Sequence, residues 1–380
     1  MKIAVFTDTY SPQINGVTNT LTKLVHFFKQ SGIIYQIYAP RYEHKDLEQN
    51  INRYYSLKFF LYPESRVTVP SLSHIQSSLY NFKPDLIHLM TECNMGLGGL
   101  HLSRKLGIPA ISNYSTNFTL YTGYFKLSFL EQAVWNYLRW FHMQSPVTLC
   151  PSMTTKQLLA DHGIDNTTIF SRGIDCSQFH PRHKNYNLLK SLGILGKTVF
   201  LYVGRLSPEK DLDVLWESYQ YLHYLYPEQT ALIVTGEGPL LKKCKSMLPP
   251  DTIYTGFLRG IELSEIYASA DIFLASSSSE TFGNVVLEAM ASGLAVIGAD
   301  TGGIGEIIRH RITGLKFKSR NSKELTDCMI ELMKDIDLRD YLKSNAWEYA
   351  LHNTWEKVFH RLRDTYQTVL NRDYAKISCP

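Results

Sequence analysis

An α/β protein built from two doubly wound parallel-sheet domains is what this sequence predicts, and three observations carry the prediction. The chain has 380 residues, beyond the usual span of one hydrophobic core. Short apolar runs rich in branched residues alternate with stretches of helical periodicity, the pattern of a parallel sheet covered on both faces. That rhythm pauses once, at His180–Gly196 (HPRHKNYNLLKSLGILG), where the charge rises, and then resumes. The expected division is therefore 1–182, 183–352 and a final helical stretch at 353–380.

In order, Lys2–Thr7 (KIAVFT) reads as a buried strand. A loop, DTYSPQINGV, follows it and leads to a helix with Leu21, Leu24, Val25 and Phe28 on one face. Asn15-Gly16 in that loop permits positive φ and a close backbone approach, or it is simply a turn. Further strands are expected at Tyr35–Ala39, Asp85–Leu89, Ala110–Asn113 and Val147–Cys150. After the pause come strand Thr198–Val203, helix Leu212–Tyr226, and strands Ala231–Thr235, Ile253–Thr255 and Ile272–Ala275. Phe125–Met143 is an aromatic-rich helix with Leu130, Val134, Tyr137, Leu138 and Phe141 along one stripe and Lys126, Arg139 and His142 outside it. Packing on the sheet and resting on a bilayer surface are both open for it.

Composition narrows the function classes. Apolar residues make up 44% and charged residues 19%, ordinary for a globular chain, and no apolar run reaches the roughly 18 residues of a spanning helix. The N-terminus lacks the pattern of a secretory signal, so a cytoplasmic protein is expected. Six scattered cysteines (93, 150, 176, 244, 328 and 379) show no zinc spacing, so neither a disulfide framework nor a metal is expected. A net charge of +4 is too mild for a nucleic-acid partner but compatible with a local basic face meeting anionic lipid.

The chemistry concentrates in Asp271–Ile308, DIFLASSSSETFGNVVLEAMASGLAVIGADTGGIGEII. A strand leads through four serines to Glu280 in a loop, and Glu288 follows on a helix that starts at Gly283-Asn284. Backbone N–H groups of Gly283, Asn284 and Val285 at that helix start suit an anion. Upstream, VGRLSPEKDL (203–212) places Arg205 and Lys210 in a loop after a strand, where cations suit a diphosphate. Near-misses fall away. GILGKT (193–198) has two residues between its glycines where a phosphate-binding P-loop needs four. GEGPLL (236–241) lacks the third glycine of a dinucleotide fingerprint. Asp211-Leu212-Asp213 opens a helix and reads as capping.

Taken together these stretches resemble the retaining glycosyltransferases of family 4, with the GT-B architecture. The carriers are the two glutamates with seven residues between them, the Gly204-Arg205-Leu206-x-x-x-Lys210 loop, FTDTYSPQINGV near the start, LYPESRVTVP (61–70) and SRGID (171–175). Within the family the resemblance is to the mannosyltransferase and lipid-glycosyltransferase subset. It implies that Arg205 and Lys210 grip the diphosphate, Glu288 takes the ribose hydroxyls and Glu280 those of the transferred sugar, with Phe282 beside it. Gly236 and the pair Phe257-Leu258 would border the nucleotide, Gly16 would lie between donor and acceptor, and Arg172 would meet a phosphate or lie on the surface. The last helix would cross back to the first domain. No metal or other cofactor is implied, only a nucleotide-sugar donor and a lipid or glycan acceptor, on the inner face of a membrane.

Two departures from the family pattern stand out. ISNYSTNF (111–118) has Ser115 where the family's sugar-contacting histidine is expected, and GGxPE becomes Gly302-Gly303-Ile304-Gly305-Glu306. The leading expectation is transfer of mannose from GDP-mannose or glucose from UDP-glucose. A nucleotide-sugar hydrolase or epimerase of the same fold competes with it. So does a binding protein that has lost transfer, motivated by Ser115.

Overall fold

The computed structural model describes residues 1–13, 15–42, 50–59, 62–114, 131–280 and 282–377. It divides into two compact units, Met1–Ser171 joined by the chain from Val358 onward, and Arg172–Lys357.

The first unit contains β1 (Lys2–Phe6), β2 (Ile34–Pro40), β3 (Ile51–Tyr54), β4 (Ser56–Phe59), β5 (Tyr62–Thr68), β6 (Leu86–Leu89), β7 (Ala110–Asn113), β8 (Thr148–Cys150) and β9 (Thr167–Ile169). Seven of these form one sheet in the order β3-β2-β1-β6-β7-β8-β9, all parallel, while β4 and β5 make a separate antiparallel hairpin. The crossover helices are α1 (Gly16–Gln30), α2 (Leu72–Phe82), α3 (Asn94–Leu106), α4 (Glu131–His142) and α5 (Met153–Asp161). Ile3 to Phe6 are wholly buried, as a central strand covered on both faces requires.

The second unit contains β10 (Thr198–Val203), β11 (Thr230–Thr235), β12 (Ile253–Gly256), β13 (Ile272–Ala275), β14 (Ala295–Ala299) and β15 (Leu315–Phe317), in the order β12-β11-β10-β13-β14-β15. Its helices are α6 (Tyr186–Ser191), α7 (Leu212–Leu225), α8 (Leu241–Met247), α9 (Gly260–Ser269), α10 (Asn284–Ala291), α11 (Gly302–Ile307), α12 (Ser322–Lys334) and α13 (Ile336–Leu351). Side chains alternate across the sheet into two apolar layers. Leu201, Ile233 and Phe273 pack with Ile266 and Val286 on one side, and Phe200, Leu232 and Leu274 pack with Trp216 and Met329 on the other. The last helix, α14 (Trp355–Ile377), starts beside Ile174 and then joins the first unit. There Phe359 meets the Phe27 ring at 5.4 Å, and the Tyr366 hydroxyl lies 2.8 Å from His88 Nδ1.

Several expectations change in the structure. The unit boundary falls between Ser171 and Arg172, and the 180–196 stretch lies inside the second unit, where Leu189 and Ile194 are buried in its core. Arg182, Lys184 and Lys190 are all exposed, the first two ahead of the short helix and the third on it, which makes the stretch look like a linker in sequence. Asn15 is extended, with φ −157°, and caps α1 by accepting from the Thr18 N–H. Gly16 is the first residue of that helix and not a positive-φ turn. Of the aromatic helix, residues 125–130 lie outside the described residues, and α4 turns Trp135 inward while leaving Trp140 49% exposed.

Candidate active site

Both sheets reverse their strand order once, and ligands of such sheets bind beyond the carboxyl ends of the strands at that point. In the second unit the reversal lies between β10 and β13. The loop after β10 carries Arg205 and Lys210, and the loop after β13 carries Glu280. Lys210 Nζ is ion-paired with Glu280 Oε1, each side chain about a quarter exposed at 22% and 25%.

The four serines explain why these loops stay together. Ser276 Oγ donates to the Lys210 carbonyl at 2.8 Å, and Ser277 and Ser279 both donate to the Glu209 carbonyl, at 3.0 and 2.9 Å. Ser278 donates through its N–H and its hydroxyl to Asp211 Oδ2, at 2.7 and 2.5 Å. Asp211 therefore does not cap α7 with its side chain, as the sequence led us to expect. It adopts a left-handed φ of 45°, and its carboxylate is taken by the serine loop and by Arg320 at 3.5 Å. A small hydroxyl at each step lets one loop donate into the other's carbonyls, and a larger side chain would hold them apart.

Glycines set the remaining spacing. A Cβ on Gly236 would collide with the Gly204 carbonyl, so the loop bearing Gly236 rests directly on the Arg205 loop. A Cβ on Gly303 would strike the Phe282 backbone, and the Gly303 N–H donates to the Glu280 carbonyl at 2.8 Å. The glycine pair thus fixes the Glu280 main chain. Gly305, in place of the family's proline, keeps an N–H that bonds the Thr301 carbonyl at 3.0 Å.

Glu288, on α10, accepts a hydrogen bond from the Tyr267 hydroxyl on α9 at 2.9 Å. Burial pushes its carboxyl up to about 7, and the Tyr267 bond opposes this only in part. Gly283, at φ 90°, caps α10, and Asn284 Oδ1 is buried without a hydrogen-bond partner among the described residues. Phe257 is 51% exposed with Arg259 over its ring, while Leu258 packs on the core. Arg172 is 6% exposed, and burial lowers its guanidinium to about 10. Ser115 lies outside the described residues. Sequence reasoning missed Tyr267, which its periodicity hides among core residues of α9, and the bonding role of the serines.

In the first unit the reversal lies between β1 and β6. Asp8, just after β1, accepts from the Thr91 hydroxyl at 2.7 Å and the Met95 N–H at 2.9 Å, which ties the two strand-end loops together. Its carboxyl is raised by burial. Among the described residues no group of three His, Cys, Asp or Glu side chains is placed to hold a metal, and no helix is long and apolar enough to cross a membrane.

The model of Glycosyltransferase Family 4 matches residues 14–178, and that of Glycosyl transferases group 1 matches residues 187–349. The chain is 31% identical over 379 residues to a GDP-mannose-dependent alpha-mannosyltransferase of Corynebacterium glutamicum, covering 97% of this chain and 89% of that protein. The chain belongs to glycosyltransferase family 4. A protein of the same description from Mycobacterium tuberculosis is 30% identical, with 98% of each chain covered. An alpha-monoglucosyldiacylglycerol synthase of Streptococcus pneumoniae is 28% identical, over 94% of this chain and 84% of the other. Among solved structures, Anabaena HepE in complex with UDP and glucose superposes with a TM-score of 0.76 at 18% identity, covering 97% of this chain and all (100%) of that one. Sucrose-phosphate synthase of Thermosynechococcus elongatus gives 0.77 at 15% identity, over 98% and 99%. The fold of this glycosyltransferase is GT-B, as the sequence implied.

Proposed function

We propose that this glycosyltransferase moves a hexose from a nucleoside-diphosphate sugar to a lipid acceptor, with retention at the anomeric carbon and without a metal. One observation carries the reading. Lys210 and Glu280 are paired at the switch point of the second sheet, which sets a cation and a carboxylate side by side where the diphosphate and sugar of one donor would meet. The donor named for the corynebacterial and mycobacterial relatives favours GDP-mannose over UDP-glucose, and the streptococcal relative's name favours a lipid. The enzyme would then work at the cytoplasmic face of a membrane.

In this reading Lys210 exchanges Glu280 for the diphosphate and Arg205 joins it, countering the charge that builds as the leaving group departs. Glu280 is released to accept from sugar hydroxyls, and Glu288 accepts from the ribose. Backbone N–H groups at Gly283, Asn284 and Val285 add to the anion site. Arg172, buried and charged, serves a phosphate of the substrate. The bond from the anomeric carbon to the β-phosphate oxygen breaks, the acceptor oxygen bonds to that carbon on the same face, and the acceptor proton passes to the departing phosphate oxygen. The configuration is thereby kept.

A panel of GDP- and UDP-sugars, offered with a total lipid extract in the presence of EDTA, tests this. Release of one nucleotide with labelled sugar in the lipid phase and an α-linkage is expected. Release of nucleotide with free sugar would replace it with the hydrolase reading, and tight binding without any release with the binding-protein reading.

A further inference from the structure

Beside the strand ends of the first sheet lies a buried acid and imidazole that the proposed transfer does not use. His142 closes α4, and helix periodicity sets it outside the apolar stripe, yet it is 0% exposed. Its Nε2 lies 3.5 Å from Oε1 of Glu92, a side chain 3% exposed in the loop after β6. Its Nδ1 lies 2.9 Å from the hydroxyl of Ser112 on β7, which in turn stands 3.1 Å from the Thr148 hydroxyl on β8. One imidazole thus joins the loop after β6 to the two strands beyond it.

Both ends of this link reach the switch point. Thr91, next to Glu92, is the residue whose hydroxyl donates to Asp8 after β1, and the Tyr137 hydroxyl on α4 donates to the Glu92 carbonyl. Ser112 lies three residues ahead of Ser115, the position of the family's sugar-contacting histidine. Stability alone is a poor reason for such a pair, since apolar residues of the same volume would pack there at no loss. Burial raises the Glu92 carboxyl, with the His142 imidazole opposing it. Glu92 Oε1 and His142 Nε2 are both buried without a hydrogen-bond partner among the described residues, so each is left with the other. A closure of about half an ångström would bring them into a hydrogen bond. Bonds that serve a reaction are often long in the free enzyme and tighten when substrates bind.

We propose that Glu92 and His142 are positioning residues for the transfer step, bonding to each other in the loaded enzyme and so fixing the loop that holds Asp8 against the strand that leads to Ser115. The proposal rests on the transferase reading, which places the donor at the second sheet and leaves the first sheet's strand ends to the acceptor. That reading fails in the wild type and the proposal only in the variants, so the two are told apart.

Transfer from GDP-mannose to a total lipid extract by the whole protein tests it, in a double-mutant cycle of Glu92→Gln and His142→Asn. Asn keeps a donor towards Ser112 but does not reach Glu92. Each single variant should lower kcat roughly tenfold, and the double variant should fall no further than the worse single one, because either change already breaks the bond. The KM for GDP-mannose and the affinity for GDP should stay at wild-type values, a split that general loosening of the enzyme would not give. Ser112→Ala, a small change that leaves the pair and cuts its link to β7, should lower kcat roughly threefold to tenfold and covers the case in which the other variants do not fold. Wild-type kcat in Ser112→Ala or in either folded single variant, losses that multiply in the double variant, or a parallel loss of GDP affinity would overturn the proposal.

Discussion

Lys210 Nζ and Glu280 Oε1 form an ion pair across the two strand-end loops of the second sheet's switch point. The pair has two consequences. It holds two flexible side chains in place before any donor arrives, and it makes each residue's loss expose the other's charge. Glu280→Gln keeps the shape and removes the charged acceptor for the sugar. The expected outcome is a fall in kcat of roughly tenfold to a hundredfold, as for one charge-assisted hydrogen bond of about 1.5 to 3 kcal/mol, with nucleotide affinity little changed. Steady-state kinetics beside a GDP titration checks the split.

Glu288 supplies a pH dependence. Its carboxyl is raised by burial from the ordinary 4.5 to about 7, and the proposed ribose contact needs the ionised form. Donor affinity should therefore decline as pH falls through about 7. Tyr267→Phe removes the donor that favours ionisation, so the decline should move to higher pH. For the free protein the sign is opposite. Between about 4.5 and about 7 the folded state holds a proton the unfolded state has lost, so stability falls as pH rises through that window. Thermal melts of wild type and Glu288→Gln across the same range should differ in this slope.

Asp211 anchors the serine loop through two hydrogen bonds to Ser278 while only 8% exposed. Asp211→Ala should cost about 1.5 to 3 kcal/mol of stability and raise KM by loosening Glu280. Denaturant unfolding gives the first and donor kinetics the second. Ser278→Ala, which keeps the N–H bond to Asp211, should cost less.

The outline of the fold was legible because both central sheets are buried on both faces, and buried strands such as Ile3–Phe6 and Ile272–Ala275 read as apolar runs without help from their surroundings. The hairpin at 56–68 was not, because its outward Leu57 and Val67 and inward Ser56 and Thr68 reverse the signal that periodicity uses. At the site, Arg205, Lys210, Glu280 and Glu288 could be singled out as charges next to strand ends and glycines. Tyr267 could not, since a buried tyrosine on an apolar helix face announces packing, and its bond to Glu288 appears only once α9 and α10 lie together. The boundary at Ser171 and Arg172 was equally hidden, because Ile174 enters the second unit by bridging to Thr354, a partner far along the chain that no local pattern indicates.

The central claim, that the loops at the second sheet's switch point hold the donor's diphosphate, is tested most directly by calorimetric titration of GDP and UDP into wild type, Arg205→Ala, Lys210→Ala and the surface control Lys242→Ala. The account predicts that the nucleotide preferred by wild type and by Lys242→Ala binds roughly tenfold to a hundredfold more weakly to each of the other two variants, the effect of removing one charge-assisted hydrogen bond to a phosphate. Unchanged affinity in folded Arg205→Ala and Lys210→Ala would contradict it.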